Sequence, residues 1–517
     1  MRRAGLPLAA TLLLLAPAAV RAGEEESPPP RARPLPEVRT LRLTLREAVD
    51  LALGSNLELR TASYGPAIAG AYLDEAGALY DHLFTARVSG GQAETLSATR
   101  FPGSTATLSQ DTAGAGAGVR RLLPAGGTLT LDASVDRTLT NSAFAFMNPF
   151  YESRLGLEVR QPLLRGFGRE VTESGIRLAE DARDRAGLEL RAATEDLVRR
   201  VETQYWDLVR ARGEAGAQRK GVSVAEDLQR VNEARLDAGA GTRVEVSQAA
   251  AGVAARRVEL LRAENAARSA EESLLGLLLP RTPDAPTGER MRLLPADDAA
   301  RDLPPVPPEE VEAAVERALL RRSDVRVARV AADEAQVAVL RAESDVLPRL
   351  DLAAQVAYAG MDGNLGSSWS QGVGSREHAT WTVGLVLEVP LGNRAARARL
   401  ERVRLERARA EAAVRALESG AAVRVRNARR DLESAREVID AAALATALAE
   451  EQLEAERERL RNDKSTTFEV LRLERDLTDA RLGELRALTS YRAALALYDF
   501  ETGRMLEERK IGDVPDF

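Results

Sequence analysis

The stretch of sequence that decides the fold is residues 425–460, VRNARRDLESAREVIDAAALATALAEEQLEAERERL. Every seventh residue along it belongs to a largely apolar seam: Val425, Leu432, Ile439, Thr446, Leu453 and Leu460. Alanines form a companion seam: Ala428, Ala435, Ala442 and Ala449. A period of seven is typical of a coiled-coil interface, and alanine allows the paired helices to approach closely. The stretch therefore predicts a long helix that packs lengthwise on another helix.

This helix extends beyond the quoted residues, because no proline occurs from Ala395 to Leu460. A second proline-free stretch runs from Thr172 to Leu236. At about 1.5 Å per residue, about 65 helical residues make a rod of roughly 100 Å. Return helices follow both stretches, so the sequence predicts two long antiparallel hairpins. A globular enzyme does not need helices of this length.

Helix and strand signals also precede each rod. Leu45 to Tyr80 is mainly helical in pattern, Thr44 and Glu47 have the spacing of a capping box, and Pro66 is expected to bend or break the helix. Alternation, glycine clusters and turn signals such as residues 124–127 predict strand segments at 84–97, 113–136, 154–159, 349–358 and 380–389.

The two halves of the chain share one plan. Ala48-Val49 and Ala52-Leu53 match Ala314-Val315 and Ala318-Leu319 at a shift of 266 positions. A shift of 224 positions pairs Thr242 with Thr466 and Glu245-Val246 with Glu469-Val470. The matches keep the same order, which favours an internal duplication over chance. The shifts differ by 42 residues, and this surplus falls in the strand region of the first half.

These patterns divide the chain into segments. Residues 1–22 have the basic start and apolar core of a secretory signal peptide, and the alternative, a membrane anchor, needs a longer apolar run. Residues 23–40 are predicted to be a flexible leader. The repeats are residues 41–279 and 309–506, the proline-rich connector is 280–308, and 507–517 form a C-terminal tail.

Composition argues against several functions. The 517 residues are 44% hydrophobic and 29% charged but only 4% aromatic, which favours long helices built from Ala, Leu and Val. The net charge of -7 comes without a basic block that would indicate a nucleic-acid partner. There is no cysteine, and the two histidines, His82 and His378, lack partners at catalytic or metal-ligand spacing. We expect neither an enzyme nor a cofactor.

The plan, together with QPLLRGFG at Gln161–Gly168 and similar motifs at the hairpin tips, resembles the TolC-type outer-membrane efflux protein family. The resemblance covers about Leu43 to Leu506. It implies a mainly α fold with a membrane β part. Three protomers would contribute four strands each to a twelve-stranded β-barrel, and their helices would form an α-barrel tunnel through the periplasm. Four strands from one chain would leave unpaired edges, which is consistent with closure by three copies.

The resemblance also implies function and partners. The chain would export small molecules (drugs, metals or other toxic solutes) or secreted proteins across the periplasm and the outer membrane. An inner-membrane transporter of the RND, ABC or MFS type would drive export through a periplasmic adaptor, and lipid would surround the barrel. Aromatic residues in or beside the strands are candidates for a membrane-interface girdle or for ordinary packing: Phe144, Phe146, Phe150, Tyr151, Trp369 and Trp381.

The resemblance assigns roles to the hairpin tips. Glu245 and Glu469 match family positions where acidic rings narrow the inner end of the tunnel, although both could be solvated surface residues. Arg472 stands where another acidic residue would be expected, so it could weaken this gate or pair with a glutamate. The tip residues would dock the adaptor: Gly239, Gly241, Thr242, Arg243, Asp463, Lys464, Ser465 and Thr466.

A soluble periplasmic coiled-coil adaptor or scaffold is the alternative interpretation. An adaptor would have one central hairpin between β-rich flanks. In this sequence two hairpins alternate with strands, which favours the channel.

Overall fold

The computed structural model describes residues 38–96, 107–239, 242–279, 290–301, 303–375, 378–462, 464–465 and 467–512. The predicted signal peptide, residues 1–22, and the leader up to residue 37 lie outside these ranges. So does part of the connector, residues 280–289, apart from the strand that starts at Arg290.

Helices and strands alternate in two unequal series. The first is β1 (Val38–Leu43), α1 (Leu45–Ser55), α2 (Leu57–Gly77), β2 (Leu83–Leu96), β3 (Thr107–Leu122), β4 (Thr128–Thr140), β5 (Phe150–Pro162), α3 (Arg169–Thr172), α4 (Ser174–Asp237) and α5 (Arg243–Leu278). The second is β6 (Arg290–Pro295), α6 (Val311–Arg321), α7 (Ser323–Val346), β7 (Arg349–Asp362), α8 (Leu365–Trp369), β8 (Ala379–Glu388), α9 (Arg394–Arg461), α10 (Thr467–Glu501) and α11 (Met505–Glu508).

The N-terminal helical region begins as predicted but breaks elsewhere. Thr44 and Glu47 form both hydrogen bonds of the capping box at the start of α1. Of the two outcomes expected at Pro66, a bend or a break, the break does not occur, because Pro66 lies inside α2. The chain breaks at Asn56, which has an extended backbone and accepts a hydrogen bond from the Leu59 amide through its side chain. Asn56 thus caps α2, and this local bond competes with helix continuation.

The two long hairpins are confirmed. Helix α4 has 64 residues and α9 has 68, and α5 and α10 return along them. Helices α4 and α10 also pack together, so the hairpins lie side by side. In the seam of α9, Val425 and Leu432 are fully buried, and Ile439, Thr446 and Leu453 are buried. The side chain of Leu460 lies outside the described part.

The main hydrophobic core surrounds the middle of the rods. It joins Ala48, Val49 and Ala52 of α1 to their counterparts Ala314, Val315 and Ala318 of α6. Tyr205 and Trp206 of α4 are buried in this core and meet edge to face, as expected for packing residues. The Tyr205 hydroxyl lies 3.0 Å from the Leu43 carbonyl oxygen and 2.9 Å from Asp297 Oδ2, which ties β1 and the connector to α4.

Helix boundaries keep the two shifts found in the sequence. Helices α1 and α6 begin 266 residues apart, as do α2 and α7. Helices α5 and α10 begin 224 residues apart. These offsets support the predicted duplication, because equal spacing is preserved in segments that have few identical residues.

The prediction of four strands per protomer is wrong. Within the described residues, one antiparallel sheet has six strands in the order β2-β3-β4-β5-β7-β8. The surplus residues of the first half form additional long strands, because the turn at 124–127 splits one predicted segment into β3 and β4. Segments 113–136 and 154–159 were also predicted too short, since β3, β4 and β5 extend past them.

A second sheet was not predicted. Strand β1 pairs in parallel with β6, so residues 38–40 of the predicted leader belong to a strand. The connector therefore carries structure of its own at Arg290–Pro295. Parallel pairing of segments some 250 residues apart has no local signature, because neither strand is long enough to show a period.

Candidate channel surfaces

The first hairpin tip is a tight turn with a capped return helix. Gly239 has a φ of 71°, a conformation that glycine adopts without strain. Thr242 caps α5: its hydroxyl accepts from the Glu245 amide, and Glu245 Oε2 accepts from the Thr242 amide at 2.9 Å. The exposed carboxylate of Glu245 therefore has a structural role that is independent of any gate. Arg243 is exposed beside it.

The second tip is held by different contacts. The Lys464 amide donates to the Arg459 carbonyl at 2.9 Å, and the Ser465 hydroxyl donates to Glu456. Arg472 Nη2 lies 3.1 Å from Glu469 Oε2, one helical turn away. Of the two roles considered for Arg472, the structure shows pairing with Glu469. This pairing places a cation next to the predicted second acidic ring.

The structure brings four of the tip residues together in two pairs. Thr242 contacts Glu245, and Arg472 contacts Glu469. The predicted docking residues Gly241, Asp463 and Thr466 lie outside the described ranges. The acidic rings and adaptor docking stay predictions.

Ion pairs between helices fix the rods that carry the tips. Arg212 Nη2 lies 3.1 Å from Glu271 Oε2 across the first hairpin. Arg457 Nη2 lies 3.0 Å from Glu474 Oε1 across the second. Close to the second tip, Leu453, Val470 and Leu477 form a separate small apolar cluster. The second hairpin thus has its own apolar packing near its tip.

A buried charge cluster fastens the C-terminal segment to the rods, which sequence reasoning missed. Arg509 bonds both oxygens of Glu202 on α4 and Asp499 Oδ2 on α10, the latter at 3.0 Å. Burial raises the pKa of Asp499 to about 6, against the lowering effect of Arg509 and Arg504. No local pattern signals this cluster, since its members come from segments 307 residues apart in sequence.

One face of the six-stranded sheet is apolar from edge to edge. Directly paired residues form a row across all six strands: Phe84, Val119, Leu131, Leu157, Val356 and Trp381. Directly paired residues share a face of a sheet, so this row is continuous. Phe84 and Trp381 are 67% and 73% exposed at its two ends, which leaves large apolar side chains uncovered in the single chain.

The opposite face is polar. The adjacent row of directly paired residues consists of Leu83, Arg120, Thr130, Glu158, Gln355 and Thr382. On this face Gly114 of β3 leaves the space that Asp136 of β4 occupies, since a Cβ on Gly114 would overlap the Asp136 carboxylate. Apolar-out and polar-in alternation is the pattern of strands that separate lipid from a water-filled lumen.

The predicted aromatic residues are distributed around this sheet. Trp381 belongs to the apolar row, and Phe144 and Phe146 are exposed in the β4–β5 loop. Phe150 and Tyr151 are half-buried at the start of β5, and Trp369 ends α8. A girdle formed by these residues stays a prediction.

None of the helices described combines the length and apolar character needed to cross a membrane. No group of His, Cys, Asp and Glu side chains in the same ranges is placed to hold a metal ion.

Long paired hairpins below a sheet with one apolar and one polar face define a class of protein, the channels that join a membrane sheet to a helical tunnel. The chain belongs to the outer membrane efflux protein family, whose sequence model matches residues 104–278 and 314–498. The resemblance found in the sequence is thereby confirmed. Members of this family are channels and not enzymes, and the protein belongs to the outer membrane, with most of its mass in the periplasm.

Similar proteins of known sequence or structure agree with this assignment. The outer membrane efflux protein BepC of Brucella suis biovar 1 (strain 1330) is 26% identical over 360 residues, 69% of this chain and 73% of BepC. The structure of the outer-membrane channel OprN is 19% identical, with a TM-score of 0.61 over 91% of each chain. The Campylobacter jejuni CmeC outer membrane channel is 16% identical, with a TM-score of 0.61 over 92% of this chain and 89% of CmeC. The two structures show a shared fold.

Proposed function

We propose that three copies of this chain form an outer-membrane channel-tunnel that exports small molecules, such as drugs, metals or other toxic solutes, or secreted proteins. An inner-membrane transporter of the RND, ABC or MFS type supplies the energy, and a periplasmic adaptor connects it to the hairpin tips. The transporter selects the substrate, because the channel passes what it receives. The continuous apolar row from Phe84 to Trp381 carries this proposal, since such a face needs lipid.

The tips support a closed resting state. Three copies of Glu245 around one axis form a ring of like charges that repels anions and admits cations. Glu469 forms a second ring whose charge Arg472 partly neutralises through its 3.1 Å contact. In this arrangement the first ring is the more selective of the two.

The tips also support adaptor docking. Gly239 gives the first hairpin a sharp reversal, and exposed Arg243 and Lys464 present cations at the two tips. An adaptor hairpin with acidic residues at its end suits this surface. The soluble adaptor or scaffold alternative is not favoured, because it gives no role to a sheet whose apolar face spans six strands.

The test is complementation of a deletion strain with two matched variants. Val383 and Thr382 are neighbours on β8 that point to the apolar and polar faces respectively. Arginine on a lipid face costs about 2–4 kcal/mol near the membrane centre, whereas the lumen face tolerates it. Val383→Arg is expected to reduce the protein in the outer membrane and leave the strain sensitive to toxic solutes or unable to secrete a product. Thr382→Arg is expected to restore the amount of protein in the outer membrane and also the resistance or secretion of the strain.

Fractionation and export assays give the readouts. The wild-type protein is expected in the outer membrane as a heat-resistant trimer. A soluble species, equal amounts of the two arginine variants, or a deletion strain with unchanged sensitivity and secretion would contradict the proposal.

A further inference from the structure

The sheet ends in two long, unprotected edges. All 14 residues of β2 and all 10 residues of β8 are exposed. Their pairing with β3 and β7 is one-to-one along the whole of each strand, so neither edge contains a bulge. Neither strand contains proline, and their charged residues are Arg87, Glu94 and Glu388. Soluble proteins protect sheet edges with such features, and their scarcity here indicates edges that pair with another chain.

The directions of the strands allow identical copies to pair. Each strand in the order β2-β3-β4-β5-β7-β8 is antiparallel to its neighbour. With six strands, β2 and β8 run in opposite directions. Strand β8 of one copy can therefore continue the antiparallel ladder onto β2 of the next, and repetition closes a ring without a free edge.

The helical layer next to the sheet has the same order. Helix α2 packs on α4, α4 on α7, and α7 on α9. Helix α2 leads into β2 and α9 follows β8, so the outer helices of the layer continue from the outer strands of the sheet. The edge helices α2 and α9 therefore lie next to the edge strands β2 and β8. This is expected if one interface between copies includes both layers.

A ring of three copies would have a similar circumference in the helical layer and in the six-stranded sheet. Three copies give twelve helices in this layer, which at about 8–10 Å between axes make a ring of roughly 100–120 Å. Eighteen strands, spaced about 4.8 Å apart and tilted about 40°, make a ring of roughly 110 Å. Twelve strands in the same geometry make a ring of only about 75 Å. Eighteen strands match the helical ring.

From these observations we propose that the trimer closes an eighteen-stranded barrel, with β8 of each copy paired to β2 of the next and all six strands of each copy in the wall. The proposal rests on the trimer of the proposed function. The barrel is roughly 35 Å across between backbones, about one and a half times as wide as a twelve-stranded barrel. Barrels of 16–18 strands leave an aqueous channel, so the outer-membrane part suits bulky solutes or unfolded polypeptides and leaves size selection to the helical part.

Cysteine cross-linking tests the proposal directly, because the natural chain has no cysteine. Val383→Cys on β8 is combined with one cysteine on the apolar face of β2, at Ala86, Val88 or Gly90. Matched controls place the second cysteine on the opposite face of β2, at Thr85, Arg87 or Ser89. A further control uses Leu131→Cys on β4, which is covered on both sides by β3 and β5. The variants are oxidised in outer membranes and analysed on non-reducing gels.

A covalent ladder that ends at three copies is expected for at least one apolar-face combination, and little cross-linking is expected for the controls. Cross-links from Val383→Cys to Leu131→Cys would overturn the proposal, because they would place β2 and β3 outside the wall while the channel function stood. Failure of all β2 combinations in a trimer that still assembles would also overturn it. A β2–β8 ladder ending at another number would overturn the trimer, and with it the eighteen strands.

Discussion

At the scale of single residues, the two predicted gate glutamates are not equivalent. Glu245 completes the capping box of α5, whereas Glu469 faces Arg472 within its own helix. Substitution of Glu245 by alanine would therefore change both charge and helix capping, whereas glutamine retains the capping interaction. The choice of substitution decides whether a measurement reports on the gate.

In planar bilayers, Glu245→Gln is expected to lower the cation preference of the channel by at least about twofold, because it removes a ring of like charges. Glu469→Gln is expected to have a smaller effect, since Arg472 already neutralises part of that charge. Arg472→Gln is expected to raise cation preference.

Glu401→Gln is the matched control, an exposed glutamate near the opposite end of α9. Reversal potentials in a salt gradient provide the measurement. If Glu245→Gln, Glu469→Gln and the control all give the wild-type value, the two tip glutamates have no part in the gate.

At the scale of elements, sequence patterns located helices better than strands. The heptad seam and the absence of proline gave α9 within one residue at each end, 394–461 against 395–460. A helix satisfies its backbone hydrogen bonds locally, so its limits are visible in the chain itself. The number of strands in the sheet depends on pairing between distant segments, and the four expected from the family resemblance were replaced by six.

At the tips and the C-terminal segment, too, a local contact was visible in the sequence, whereas contacts that depend on packing were not. The spacing of Thr242 and Glu245 in the sequence is compatible with the cap that the structure contains. The partner of Arg472 could not be chosen from the sequence, because a side chain on a helix can reach residues on either side of it or on a neighbouring helix. The contact of Arg509 with Glu202 and Asp499 was beyond prediction, because it depends on how three elements pack.

The buried charge cluster of Glu202, Asp499 and Arg509 is expected to make the free energy of unfolding depend on pH. Burial gives Asp499 a folded-state pKa of about 6, above the ordinary aspartate value of 3.8. An acid with a raised pKa stabilises the fold below its unfolded pKa, and this contribution is lost as the pH rises through 6. The wild type is therefore expected to lose on the order of 2 kcal/mol between pH 4 and pH 7 through this group.

Asp499→Asn cannot ionise and is expected to lack this loss, so its stability relative to the wild type should increase from pH 4 to pH 7. Denaturant unfolding of the detergent-solubilised protein at both pH values measures the difference. Asp440→Asn, an exposed aspartate on α9, is the control. An Asp499→Asn profile parallel to the wild type would show that this carboxyl does not titrate on unfolding.

At the scale of the whole molecule, one chain leaves two kinds of surface uncovered. Within the described residues the outer edges of β2 and β8 have no partner strand, and the apolar row from Phe84 to Trp381 is exposed at Phe84, Leu131 and Trp381. In the proposed ring of identical copies both edges would be paired, and insertion in lipid would cover the apolar row. In that ring the rods of 64 and 68 residues would enclose a hollow axis about 100 Å long.

Single-particle imaging of the protein purified from outer membranes in detergent or nanodiscs tests this closure most directly. The expected result is a particle with threefold symmetry and an axial cavity that passes through a lipid-embedded ring of strands into a helical tube about 100 Å long. A folded monomer of globular dimensions, without bound detergent or lipid at the sheet, would contradict the account.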